Sequence, residues 1–157
     1  MTSSAPTVRR RLSCSADDVW ATLADGWLYP LFVVGASRMR EVDDDWPGVG
    51  SEVHHSFGAW PAVVDDTTTV TACEPGLRLR LVASGRPGGE AEVEFRLSPA
   101  TASGPGDGAV CDVELAEDVV SGPALLVPRI LRRPAVVWRN TETLRRLAFV
   151  AERRTAG

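Results

Sequence analysis

Two histidines stand side by side at positions 54 and 55, inside the stretch SEVHHSFGAW, and no other histidine occurs in the chain of 157 residues. Imidazole titrates closest to neutral pH of all side chains, so a histidine pair is the first place to look for proton transfer or metal ligation. The neighbouring residues decide what this pair can do. Residues 50–58 alternate like a β-strand, with Val53, His55 and Phe57 on one face and Glu52, His54 and Ser56 on the other. Adjacent strand residues aim in opposite directions, which argues against joint metal binding or a proton relay between the two rings. The apolar face is expected to turn inward, so His55 should face the interior and His54 water. His55 alone offers two readings: a general base or hydrogen-bond donor in a pocket, or a half-buried ring satisfied by a carbonyl or hydroxyl.

The other reactive side chains form weaker patterns. Cys14, Cys73 and Cys111 are odd in number and far apart, without a C-x-x-C or a histidine at ligand spacing. Neither a disulfide framework nor a zinc site is indicated, and no metal or cofactor is expected. The sequence contains no G-x-S-x-G elbow, P-loop, dinucleotide fingerprint or H-E-x-x-H. Acidic residues fall mostly in runs (Asp43-Asp44-Asp45, Asp65-Asp66, Glu117-Asp118) that read as solvated strand ends. Asp112 and Glu114 share a strand face and are placed to meet Arg9 or Arg11 across a ladder rather than to form an acid/base pair. Trp27, Tyr29, Phe32, Phe57, Trp60 and Trp138 either line a cavity for a flat hydrophobic ligand or belong to an ordinary core. Trp20 reads as core.

The elements that must position these residues follow from periodicity. Thr7 to Ser13 reads as a strand. Ser15-Ala16-Asp17-Asp18 then opens a short helix with an S-x-x-D capping signal, and Gly26 is expected to stop it. Residues 27–35 form a second short, apolar helical turn. After Gly35 the period becomes two, and strands are predicted near 37–46, 50–58, 64–73, 77–84, 90–98 and 109–119, separated by Pro- and Gly-rich turns. Short turns between successive strands favour an antiparallel meander. Alternation is clean where Leu77, Leu79 and Leu81 oppose Arg78 and Arg80, the pattern of a sheet with one covered and one wet face. A long helix is predicted over 132–154, with Pro134 in its first turn and Ile130, Val137, Thr141, Leu144, Ala148 and Ala151 on one face.

A composition of 44% hydrophobic and 24% charged residues suits a soluble globular protein of one domain, residues 1–157, with an ordered core over 7–153 and short flexible termini. A net charge of −4 speaks against a nucleic-acid coat. No apolar run approaches a membrane span and the N-terminus lacks a signal-like apolar segment, so a cytoplasmic location is expected. All 17 basic residues are arginine, which points to a GC-rich bacterial genome, and eight of them follow residue 128.

Ser15-Ala16-Asp17-Asp18-Val19-Trp20, Trp46-Pro47-Gly48-Val49-Gly50-Ser51 and Arg139-Asn140-Thr141-Glu142-Thr143-Leu144-Arg145-Arg146-Leu147, in this order of elements, resemble the START and birch-pollen-allergen (SRPBCC) superfamily. The likeness is to its bacterial polyketide cyclase/dehydrase-like branch and covers roughly residues 7 to 153. It implies an α+β helix-grip fold: a seven-stranded antiparallel curved sheet wrapped around a long C-terminal helix, with two short helices between strands 1 and 2. It also implies a hydrophobic cavity between sheet and helix. By position, Trp27, Tyr29, Phe32, Val53, His55, Phe57, Trp60, Phe95, Val137, Trp138 and Thr141 would surround the ligand.

The expected function is binding of a small hydrophobic molecule, aromatic or polyketide-like. The enzymatic alternative is an aromatase/cyclase or dehydratase, with His55 to take a proton from carbon and Tyr29 to donate to the developing enolate. A third class is a protein-interaction module using the arginine-rich last helix. The partner expected is the small molecule, with neither nucleic acid nor an integral membrane segment involved, and a homodimer is admitted as an assembly.

Overall fold

The computed structural model describes residues 5–85, 89–101 and 108–154. The termini expected to be flexible (1–4, 155–157) and most of the turns expected at 86–89 and 103–108 lie outside the described residues. Strand β1 (Thr7–Leu12) leads into helix α1 (Ala16–Leu23), a 3-10 turn (Gly26–Leu28) and the short helix α2 (Tyr29–Phe32). Six strands follow: β2 (Ala36–Val42), β3 (Glu52–Ala59), β4 (Ala62–Glu74), β5 (Arg78–Gly85), β6 (Gly89–Ala100) and β7 (Val110–Val119). A 3-10 turn (Pro123–Leu126) precedes the long helix α3 (Arg129–Arg154). All seven strands pair antiparallel in one open sheet of order β1-β7-β6-β5-β4-β3-β2. This is the helix-grip α+β architecture.

The S-x-x-D signal closes as a capping box. The Asp18 N–H donates to Ser15 Oγ at 3.1 Å and the Ser15 N–H donates to the Asp18 carboxylate at 3.0 Å. Helix α1 already ends at Leu23, with Ala24 as its C-cap, so Gly26 does not terminate it. Gly26 instead answers a packing need, because a Cβ there would lie 2.6 Å from Val42 Cγ1. Gly35 has φ +100° and allows the Phe57 ring to sit where its own side chain would have been, 2.3 Å from the Cβ position.

The inward face of the sheet carries Leu79 and Leu81 of β5, Phe95 and Leu97 of β6, and Val113 and Leu115 of β7, all buried. The C-terminal half of α3 closes this core with Leu144, Leu147, Ala148 and Ala151. The outward face is laced with ion pairs. Arg9 meets Glu114 at 2.6 Å and Arg11 meets Asp112 at 2.8 Å, the ladder pairing expected from the sequence. Arg80 and Arg96 cover Glu94, which is 1% exposed.

Helix α3 departs from its expected face in its first half. Ile130 is 80% exposed, Thr141 is exposed and Val137 only half-buried, while Asn140 and Thr143 are buried. The buried stripe that holds Leu144, Ala148 and Ala151 runs back by four-residue steps to Asn140 and Val136, not through Thr141 to Val137. Pro134 also lies deeper than the first turn, at the sixth residue, because the helix begins at Arg129. The Ile130 carbonyl therefore lacks its i+4 donor, at a position open to solvent.

Candidate functional site

A cavity of about 300 Å³ opens between α3 and the sheet. Its floor is apolar, built from Leu81, Val93, Phe95 and Leu115 on three adjacent strands. Helix α3 supplies Val136, Arg139, Asn140 and Thr143, and the α2–β2 turn supplies Val33 and Val34 beside Phe57. Val34 is tied to the helix, its N–H donating to Thr143 Oγ1 at 3.4 Å.

One end of the cavity is polar. Tyr29 of α2 and His55 of β3 stack with ring centroids 5.1 Å apart and planes inclined by 18°. Both rings reach the same hydroxyl: Thr68 Oγ1 lies 3.1 Å from Tyr29 Oη and 3.0 Å from His55 Nε2. The register of β3 and β4 causes this. Val53 faces Thr68 and His55 faces Asp66 across the ladder, so His55, Asp66 and Thr68 all project from the inner face. Thr68 is fully buried and His55 is 2% exposed. Burial, then the nearby Arg40 and His54, push the His55 pKa down to about 4, so the ring is neutral at pH 7. Burial pushes the Tyr29 phenol up to about 12 and keeps it protonated.

A second polar group crosses from sheet to helix. Glu117 of β7, 3% exposed, pairs with Arg139 of α3, whose pKa burial lowers. Next to it, Asp118 holds Arg129 at 3.0 Å. Asp66, Glu117 and Asp118 are thus buried rather than solvated strand ends. They lie within β4 and β7, inside the strand spans expected at 64–73 and 109–119, and not in loops beyond them. Among the described residues no group of three or more His, Cys, Asp and Glu is arranged to hold a metal ion.

Of the residues singled out from the sequence, Tyr29, His55, Phe57 and Phe95 line the cavity. Phe32 is buried behind Tyr29, meeting its ring edge-on at 5.8 Å, and Val53 lies in the core below His55. Trp27, Trp60 and Trp138 are at the surface, 59%, 88% and 67% exposed, outside the lining. Val137 and Thr141 are also outside it, turned away by the helix rotation, and Thr141 bonds back to the Val137 carbonyl at 2.7 Å. His54 lies on the outer face, 3.2 Å from Thr67 Oγ1 and 3.6 Å from Glu52. The two histidines are neighbours in sequence only. Thr68, Asp66, Glu117, Arg139, Asn140 and Thr143 were not foreseen at the site. For the last two the signal was their four-residue spacing from Leu144 and Leu147 respectively.

No family model matches the chain, and no curated protein matches it. Solved structures do share its fold. Protein NE0264 from Nitrosomonas europaea superposes with a TM-score of 0.70 at 15% identity, with 100% of each chain covered. Ara h 8.0201 gives 0.60 at 12% identity, covering 93% of this chain and 97% of that one. The di-domain ARO/CYC StfQ from the steffimycin biosynthetic pathway gives 0.65 at 13% identity, covering 97% of this chain and 52% of StfQ. At these identities the likeness is one of fold.

Proposed function

We propose that the protein binds a small hydrophobic molecule, aromatic or polyketide-like in shape, between the sheet and α3. The observation that carries this reading is the cavity itself: an apolar floor of Leu81, Val93, Phe95 and Leu115 with a few polar groups converging at one end. Sites for small apolar ligands are built in this way, with shape supplying affinity and sparse polar groups supplying orientation. The likeness to StfQ lends weight to a polyketide-like guest.

One observation favours a second reading, cyclase or dehydratase chemistry. Tyr29 and His55 are stacked and joined through Thr68, close enough to serve one substrate as donor and base. The His55 pKa of about 4 weighs against it, because so weak a base takes a proton from carbon poorly at neutral pH. Binding is the better-supported function.

Titration with Nile red, whose emission rises in apolar surroundings, tests the proposal. The wild type should show saturable binding. Ala83→Trp, which fills the cavity from β5, should weaken it at least tenfold, and Trp138→Ala, outside the lining, should leave it unchanged. A wild type that never saturates, or an Ala83→Trp variant that binds as well, refutes cavity binding.

A further inference from the structure

We propose that the end of the molecule around the cavity mouth docks on the surface of an anionic lipid membrane. Trp60, Leu126 and Ile130 enter the lipid interface, and Arg132 and Arg133 meet the phosphates. The inference goes beyond guest binding and stands on a separate observation, the gathering of exposed apolar side chains at one end of the sheet.

The meander brings four chain segments to that end: the α2–β2 turn, the β3–β4 and β5–β6 turns, and the passage from β7 into α3. Backbone bonds tie them in pairs. The Gly58 N–H donates to the Gly35 carbonyl at 3.0 Å, and the Val120 N–H to the Glu90 carbonyl at 2.9 Å. The cavity opens here, because Phe57 and Glu90 line it and are both exposed. At the same end Leu31 of α2, Trp60 and Val63 of the β3–β4 hairpin, and Leu126, Ile130 and Leu131 at the start of α3 are all exposed, Leu126 by 86%. Among the described residues, the strand-joining turns at the opposite end expose only Val49 and Leu77 as large apolar side chains. Single exposed apolar residues are ordinary, whereas a set gathered around one opening marks a docking surface.

Charge selects the occupant. Residues 59–64 carry no charged side chain, and the stretch 119–141 holds four arginines and no acid. Arg129 and Arg139 are neutralised by Asp118 and Glu117. Arg132 donates to the Ala124 carbonyl at 3.3 Å, which leaves its charge in place, and Arg133 has no acidic partner among the described residues. The acids nearby are engaged: Asp65 lies 3.5 Å from Arg40, and Glu90 accepts from the Ser121 hydroxyl at 3.0 Å. In a symmetric dimer the patch would face itself and set arginine against arginine. An anionic bilayer answers both features, its interior taking the apolar tips and its phosphates the guanidinium groups. The chain as a whole is net −4, so this end alone is drawn to such a surface.

Co-sedimentation of the full chain with vesicles tests the proposal, using phosphatidylcholine alone and an equal mixture of phosphatidylcholine and phosphatidylglycerol. The wild type should bind the mixed vesicles roughly tenfold more tightly than the neutral ones. Arg132→Gln combined with Arg133→Gln should remove that preference. Leu126→Ser combined with Ile130→Ser should weaken binding to the mixed vesicles roughly tenfold, and Trp60→Ser should weaken it likewise. Leu77→Ser, at the opposite end, should change nothing. A wild type that ignores the mixed vesicles overturns the proposal and leaves the patch to an acidic protein. A loss from Leu77→Ser as large as that from the Leu126→Ser, Ile130→Ser pair overturns it too. Sedimentation equilibrium without lipid reads the remaining occupant: a wild-type dimer that this pair of substitutions dissociates gives the patch to a second copy and overturns membrane docking. The Nile red titration, run without lipid, reports the cavity separately, so each of these failures leaves guest binding standing.

Discussion

His55 is held neutral by its surroundings, and this has a measurable consequence for stability. The unfolded ring takes up its proton near pH 6.5, the buried ring only near 4. Between those values the unfolded chain binds more protons, so stability falls as the pH is lowered. The contribution is complete above pH 6.5 and is lost progressively toward pH 4, by roughly 3 kcal/mol over the whole window. Carboxylates held low by arginines, Glu94 and Asp112 among them, add a loss of the same sign at more acid pH. Urea unfolding at pH 7, 6 and 5 should therefore be compared between the wild type and His55→Gln. The variant should be less stable at pH 7 by about 1–3 kcal/mol, through disruption of the Thr68 link, and should show a shallower decline toward pH 5. Equal slopes would mean that the ring is protonated in the folded state. His54→Gln, at a partly exposed outer-face site, should change stability by less than about 0.5 kcal/mol. Strand parity alone separated the two histidines in the sequence. The Thr68 hydroxyl was not legible, because it arrives from β4 and only the cross-strand register reveals it.

At the scale of elements, α3 is fastened to β7 through Arg139 and Glu117. Removing one partner strands the other: Arg139→Met leaves the Glu117 carboxylate, 3% exposed, without its cation. Breaking a fully buried pair costs about 3–5 kcal/mol. The Arg139 side chain is 35% exposed, so water softens the loss and about 2 kcal/mol is expected. Adding Glu117→Leu to Arg139→Met should recover most of that loss, since an apolar pair can replace a buried ion pair at little cost. Chemical denaturation of the two single variants and the double variant measures the coupling, and strict additivity would show that the pair is not a fastening. The same helix shows where sequence reading fails. Its C-terminal half announces its buried face by apolar residues at Leu144, Ala148 and Ala151. Its N-terminal half turns Arg139 and Asn140 inward and leaves Ile130 and Trp138 outside. A search for apolar periodicity follows the wrong residues there, because an inward face that holds a site is not wholly apolar.

For the whole molecule, the order of elements was legible because each strand carries its own alternation and each turn its own chemistry. The cavity was legible only as a consequence of the fold, since no single segment encodes a space between two. That space runs against stability: the helix-grip core is well packed at one end, while the other end keeps Asn140 buried with an unpaired amide nitrogen. Sites that hold polar groups ready for a guest are less stable than the same fold would be with an apolar lining. Asn140→Leu keeps a similar size and removes the orphan donor. The unliganded variant should therefore gain about 1–2 kcal/mol. For a chain of this length that raises the melting temperature by roughly 2–8 °C. Thr141→Val, one residue along on the exposed face, should be close to neutral and serves as the control. Calorimetric melting of the two variants beside the wild type decides the matter. An Asn140→Leu protein that melts lower would show that the amide is already satisfied in the free protein and that its place in the cavity wall is structural. One that melts higher would show that the unpaired amide nitrogen costs the free protein stability.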